Sequence, residues 1–388
     1  MAHDLDGYTS LNLPLGIRSQ VVDNHNGCQM HVLEAGHESP HRPCILLLHG
    51  FPELAYSWRR QLVHLSQAGY HVIAPDLRGF GRSGGTMVHY ADDLRPFSSV
   101  NRVADALGLV RALGHEQVAL VVGHDYGAHV AGWCALLRPD VFRSVAFMSA
   151  TFPGAPSLPL QGEPAPAQDA AQALVALGAL SPPRKHYWPY FASPLAHEHL
   201  MHPPQGLHSF LRAYFHMKSG DWEDNQPFPL QAWSSAELAK LPRYYVMDAD
   251  RTMPESVAPC MPSTAQIAAC EWLSDADLDV YVQEYARTGF QGGLQLYRVM
   301  LDTGLSGELR AFAGRTVDVP ALFLSGARDW GNHQVPGGLE RLRESVCTRM
   351  EPPRIIPRAG HWVQQEAAAE VNAELLGFLE RHSPRPVA

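Results

Sequence analysis

Apolar residues in the first third of the chain come in short unbroken runs rather than in alternation. CILLL at 44–48 ends at His49-Gly50, YHVIA at 70–74 ends at Pro75-Asp76, and VALVV at 118–122 ends at Gly123. RSVAFM at 143–148 is a fourth run. A sheet wetted on one face alternates apolar and polar side chains, so continuous runs this short predict strands covered on both faces. Helical spacing fills the gaps, as at 98–113. Strands alternating with helices predict a mainly parallel sheet flanked by helices.

The texture then changes. Of the 31 prolines, 17 fall between Phe152 and Ser263, with long gaps between apolar runs. Proline interrupts helices and central strands alike, so this stretch does not continue the sheet. Strand-like runs return at 321–324 (ALFL) and 354–356 (RII), and 366–381 predicts a closing helix. The pattern parses as an α/β core at 1–151 and 305–388, interrupted by a mainly helical cap at 152–304 with proline-rich connections.

The segment VALVVGHDYGAHVAGWCALLRP carries the clearest chemistry. A strand runs into Gly123-His124-Asp125-Tyr126-Gly127, and Val130, Trp133, Cys134 and Leu137 then recur at helical spacing. This is the glycine-flanked turn that lifts a nucleophile above a sheet at a helix N-terminus, with Asp125 at its centre. The run Gly81-Arg82-Ser83-Gly84-Gly85 matches the serine form of the motif, but no apolar strand abuts it, so it reads as a structural turn.

An aspartate in that position changes the reaction. A serine attacking a saturated carbon would form an ether that water cannot readily open, whereas a carboxylate forms an alkyl ester. Water can then attack the ester carbonyl, given a base and an acid that orients it. Nucleophile, acid and histidine follow in that chain order in this architecture. Asp329, just after the ALFL strand, and His361, in the loop before the last helix, fill the two places; no carboxylate follows the fourth strand. The backbone N–H groups of Tyr126 and Phe51 are the expected oxyanion donors, and a cis bond before Pro52 would aim the second.

Composition narrows the field. A net charge of −9 argues against a nucleic-acid partner. The 21 histidines and six cysteines show no zinc spacing, so no metal or other cofactor is expected, and most histidines are assigned to the surface and loops. The N-terminus lacks a signal-peptide pattern and no run approaches the ~18 apolar residues of a membrane span, so a cytoplasmic protein without a transmembrane segment is expected.

The runs HGFPELAYSWRRQL, DLRGFGRS, GHDYGA, GHWVQQE and TGFQGGLQLYR, spread over residues 44–366, resemble the epoxide hydrolase branch of the α/β-hydrolase superfamily. The resemblance implies an enzyme acting on ether bonds, with a small apolar epoxide and water as its reactants and a vicinal diol as product. It also implies two cap tyrosines that hold and protonate the epoxide oxygen. The G-F-x-G-x-L-x-x-Y-R run places one at Tyr297, and Y-x-x-Y-F-x-x-P places the other at Tyr187, with Tyr190 as competitor. Phe51, Tyr126, Tyr187, Tyr297 and Trp362 are expected to contact substrate. A haloalkane dehalogenase would share the fold, but its halide-holding Asn and Trp are replaced by Phe51 and Tyr126. A non-catalytic ligand-binding protein on the same fold would show a broken set of residues, and here the set is filled.

Overall fold

The computed structural model describes residues 11, 13–39, 41–158 and 166–382. The N-terminal segment on which the leader reading rests lies largely outside them. Among these residues ten strands form: β1 (Arg18–Asp23), β2 (Gln29–Ala35), β3 (Cys44–Leu48), β4 (His71–Pro75), β5 (Val118–His124), β6 (Val145–Met148), β7 (Arg184–His186), β8 (Val246–Asp248), β9 (Ala321–Gly326) and β10 (Arg354–Ile356). Eight make one sheet in the order β1-β2-β4-β3-β5-β6-β9-β10. From β4 to β10 the pairing is parallel, while β2 meets both β1 and β4 antiparallel.

The unbroken apolar runs are explained by the two faces they serve. Cys44, Leu46 and Leu48 of β3 enter one hydrophobic cluster and Ile45 and Leu47 the other, as the two-residue period of a strand requires. β1 and β2 were not foreseen, because they carry the polar side chains that the run pattern excludes. These are satisfied inside the sheet: Glu34 accepts from Arg18 and lies 2.8 Å from His71 Nε2, and His31 Nδ1 lies 2.7 Å from Asp76.

The predicted helix at 98–113 forms as Ser99–Ala112, capped by the Ser98 side chain. The closing helix is broken: Val363–Glu366 is separated from Ala368–His382 by a non-helical Ala367. Glu366 turns its carboxyl group back to accept from the backbone N–H groups of Gly220, Gly360 and Trp362. Between β6 and β9 the chain leaves the sheet and builds a helical insertion over the C-terminal ends of the strands. Its main parts are the helices Leu207–Lys218, Asp275–Thr288 and Gln291–Leu301 and the antiparallel ribbon β7–β8.

Candidate active site

β5 delivers Asp125 at the N-terminus of helix Tyr126–Leu137. Asp125 has φ 51° and ψ −119°, a conformation that L side chains rarely adopt. The flanking glycines make it possible by close approach. A Cβ on Gly123 would lie 2.0 Å from the Gly127 carbonyl oxygen, and one on Gly127 would lie 2.2 Å from that of Leu48. Both neighbours are backbone, which cannot swing aside.

His361 and Asp329 meet the nucleophile from the far end of the sheet. His361 Nδ1 lies 3.1 Å from Asp329 Oδ1, and His361 Nε2 lies 3.4 Å from Asp125 Oδ2. Asp329 is an acceptor, so Nδ1 is assigned as the donor to it, and Nε2 is left facing Asp125. Asp329 is itself held by Gly331 N–H at 2.7 Å and by Ser325 Oγ at 3.1 Å. Burial pushes both carboxyls up, yet the surrounding His361 and Lys218 outweigh it and hold both below the usual carboxylate range.

On the opposite side, Phe51 N–H donates to Asp125 Oδ1 at 3.0 Å, and the Phe51–Pro52 bond is cis. Tyr187 opens the short helix after β7, and Tyr297 lies on helix Gln291–Leu301. Their rings are 5.8 Å apart and nearly perpendicular. Burial first, and then neighbouring charge and phenols, keep both far above the usual tyrosine range, so both are hydrogen-bond donors. Tyr187 donates to Gln334 Oε1 at 3.2 Å. A cavity of about 220 Å³ is lined by Asp125, Tyr126, Tyr187, Tyr297 and Gln334 among others. Tyr190 turns away instead, accepting from Met253 N–H and pairing with His199.

The α/β-hydrolase fold family matches residues 43–368. Epoxide hydrolase A of Mycobacterium tuberculosis (strain ATCC 25618 / H37Rv) is 35% identical over 369 residues, spanning 94% of this chain and 98% of that protein. Epoxide hydrolase B of the same strain is 32% identical, with 92% and 96% covered. The chain belongs to the epoxide hydrolase branch of the α/β-hydrolase superfamily. Solved structures agree. Epoxide hydrolase A from Mycobacterium thermoresistibile gives a TM-score of 0.71 at 31% identity, covering 94% of this chain and 98% of that one. An epoxide hydrolase from an endophytic Streptomyces gives 0.75 at 29%, with 95% and 98% covered.

Within this epoxide hydrolase framework, two expected contacts fall elsewhere. Trp362 is fully buried behind His361 and donates its indole N–H to the Phe215 carbonyl, so it does not line the cavity. Consecutive residues of the loop point in different directions, and only His361 faces Asp125. The Phe51 ring packs among Phe191, Phe290 and Tyr297; its backbone, not its side chain, reaches the nucleophile. Ser83 is a strut as expected: its hydroxyl donates to the Asp76 carbonyl and accepts from His31 N–H.

Three charged residues were not foreseen. Glu53 and His124 form a fully buried pair at 2.5 Å, and His124 Nε2 lies 2.7 Å from the His361 carbonyl oxygen. Burial opposes both charges, but the partners outweigh it, lowering Glu53 and raising His124. Lys218, the third, accepts the His361 N–H on its carbonyl at 2.9 Å. A signal existed for it: Leu211, Tyr214, Phe215 and Lys218 share one helical stripe, so the lysine continues a buried face. Among the described residues no helix is long and apolar enough to cross a membrane.

Proposed function

We propose that this protein hydrolyses small apolar epoxides to vicinal diols through a covalent ester on Asp125. The observation that carries the reading is the placement of one carboxylate between a His–Asp pair and two buried phenols across a single cavity. Phe51 N–H holds Oδ1, which leaves Oδ2 to attack a ring carbon. As that C–O bond breaks, the phenols of Tyr187 and Tyr297 donate to the departing oxygen, which would otherwise leave as an alkoxide. The product is a hydroxyalkyl ester.

Water then attacks the ester carbonyl while His361 Nε2 takes its proton, and Asp329 stabilises the imidazolium that forms. The N–H groups of Phe51 and Tyr126 hold the tetrahedral oxyanion. Collapse breaks the bond between the carbonyl carbon and the alkyl oxygen; the proton held by His361 passes to that oxygen, and water's second proton leaves the new Asp125 carboxyl, restoring the carboxylate and the phenol that gave up its proton. One diol oxygen comes from the epoxide and the other from Asp125.

Single turnover in ¹⁸O-water tests this route. The first diol should be unlabelled and Asp125 should carry the heavy oxygen; label in that diol would sink the covalent mechanism. A panel of epoxides beside haloalkanes should yield diol without halide release.

A further inference from the structure

Lys218 is a charge in a place that should repel one. Of the 30 basic residues other than histidine only three are lysines, at positions 185, 218 and 240, and Lys218 is 3% exposed. Among the described residues no carboxylate lies within ion-pair distance of its ammonium and no side-chain hydrogen bond to it is found. Four rings enclose it instead: Trp362 at 5.2 Å, Tyr245 at 5.3 Å, Tyr214 at 5.5 Å and Tyr244 at 5.9 Å from Nζ to the ring centres. Each lies within the ~6 Å over which a ring face attracts a cation. The Trp362 ring in turn lies 4.7 Å from the His361 ring. The ammonium is therefore within roughly 10 Å of the imidazole, with low-dielectric aromatic material between them.

The charges packed around His361 are those of Asp125 at the elbow, Asp329 beside β9, His124 with Glu53 behind it at the end of β5, and Lys218 from the cap. The phenols of Tyr214, Tyr244 and Tyr245 stay neutral, and burial pushes the Glu366 carboxyl, which accepts from the loop's backbone N–H groups, up to about 8, so it carries no charge on the acidic limb. Once Asp125 is esterified, Asp329 and Glu53 carry two negative charges and His124 and Lys218 two positive ones, so the cluster sums to zero. Without Lys218 it sums to −1, which favours a protonated imidazole that cannot accept a proton from water.

We propose that Lys218 is a positioning residue whose caged positive charge keeps His361 neutral, and so able to act as a base, to lower pH than the surrounding carboxylates alone would permit. The inference rests on the ester mechanism proposed above. Burial lowers the ammonium below the usual lysine range, and Asp125, Asp329 and Glu53 offset that in part.

The test is the pH profile of ester decay, followed by mass spectrometry after mixing enzyme with excess epoxide. Lys218→Met should move the acidic limb up by about one pH unit, as expected for loss of one charge at ~10 Å and an effective dielectric near 20. Lys218→Arg should return the limb to its original position. A folded Lys218→Met protein with an unmoved limb overturns the inference, as does an equal shift in both variants, which would implicate the cage rather than the charge. If Lys218→Met does not fold, ¹³C-lysine labelling of the parent gives three resolvable side chains to titrate. The Lys218 signal should stay in its charged form across the whole limb, and a neutral amine there overturns the inference. Failure to form any ester in the parent would instead count against the covalent mechanism itself.

Discussion

Replacing Asp329 by Asn separates the two half-reactions. The substitution keeps shape and volume but removes the charge that faces His361 at 3.1 Å. Ring opening does not require a protonated His361, so ester formation should proceed near the parental rate. Hydrolysis creates an imidazolium with no carboxylate beside it. At about 4 Å between charge centres and an effective dielectric near 20, the lost attraction is about 4 kcal/mol, or roughly a thousandfold in rate. The asparagine amide can also donate toward Nδ1 and select the wrong tautomer, a fault that costs ~10⁴ in serine proteases. Rapid-quench mass spectrometry should show the protein plus one epoxide accumulating to near stoichiometry, with diol release slowed at least a hundredfold. Steady-state turnover within tenfold of the parent, with no trapped adduct, would falsify the assignment of Asp329 as the orienting acid.

Two further outcomes follow from the geometry. Tyr297→Phe should slow ester formation by about 10²-fold while leaving decay of preformed ester nearly unchanged, because in the proposed mechanism the phenol's main part is at the departing oxygen; stopped-flow fluorescence on the eight tryptophans separates the phases. Asp76 is fully enclosed, and its pKa is brought down to about 2 because His31, His49 and the Arg82 N–H outweigh the opposing effect of burial. A depressed carboxyl contributes stability above its unfolded pKa that is lost as pH falls through the folded one, so Asp76→Asn should cost about 2 kcal/mol at pH 7. That deficit, read from urea midpoints, should shrink between about pH 4 and pH 2.

Much of the core could be read from the chain because burial on both sheet faces leaves a trace that solvent exposure would blur. The CILLL and RII runs coincide with β3 and β10, and the other runs lie within about two residues of their strands. The elbow was legible because Gly123 and Gly127 are dictated by backbone contacts that tolerate no other residue. Buried charge was less legible. Glu53 and His124 look like surface residues in one dimension, and only tertiary partners reveal that they are enclosed, whereas Lys218 left a trace in the helical stripe it shares with Leu211, Tyr214 and Phe215. The choice between Tyr187 and Tyr190 was likewise open, since both lie on one short helix and differ only in what each hydroxyl meets. Histidine was undervalued: among the described residues seven, including His31, His49, His71 and His115, are buried, most of them in hydrogen bonds that tie strands and loops together.

The backbone bond from His361 N–H to the Lys218 carbonyl joins two parts of the molecule with different duties, and Glu366 reinforces it by gripping Gly220 and Gly360 together. Helix Leu207–Lys218 belongs to the insertion, while His361 is carried by the loop after β10. Lifting that helix by even an ångström or two would stretch a 2.9 Å bond past its useful range and let the imidazole drift from Asp125. The seating of the insertion and the alignment of His361 are thus interlocked. A chain in which that helix had lifted would have lost the backbone anchor that keeps the imidazole facing Asp125.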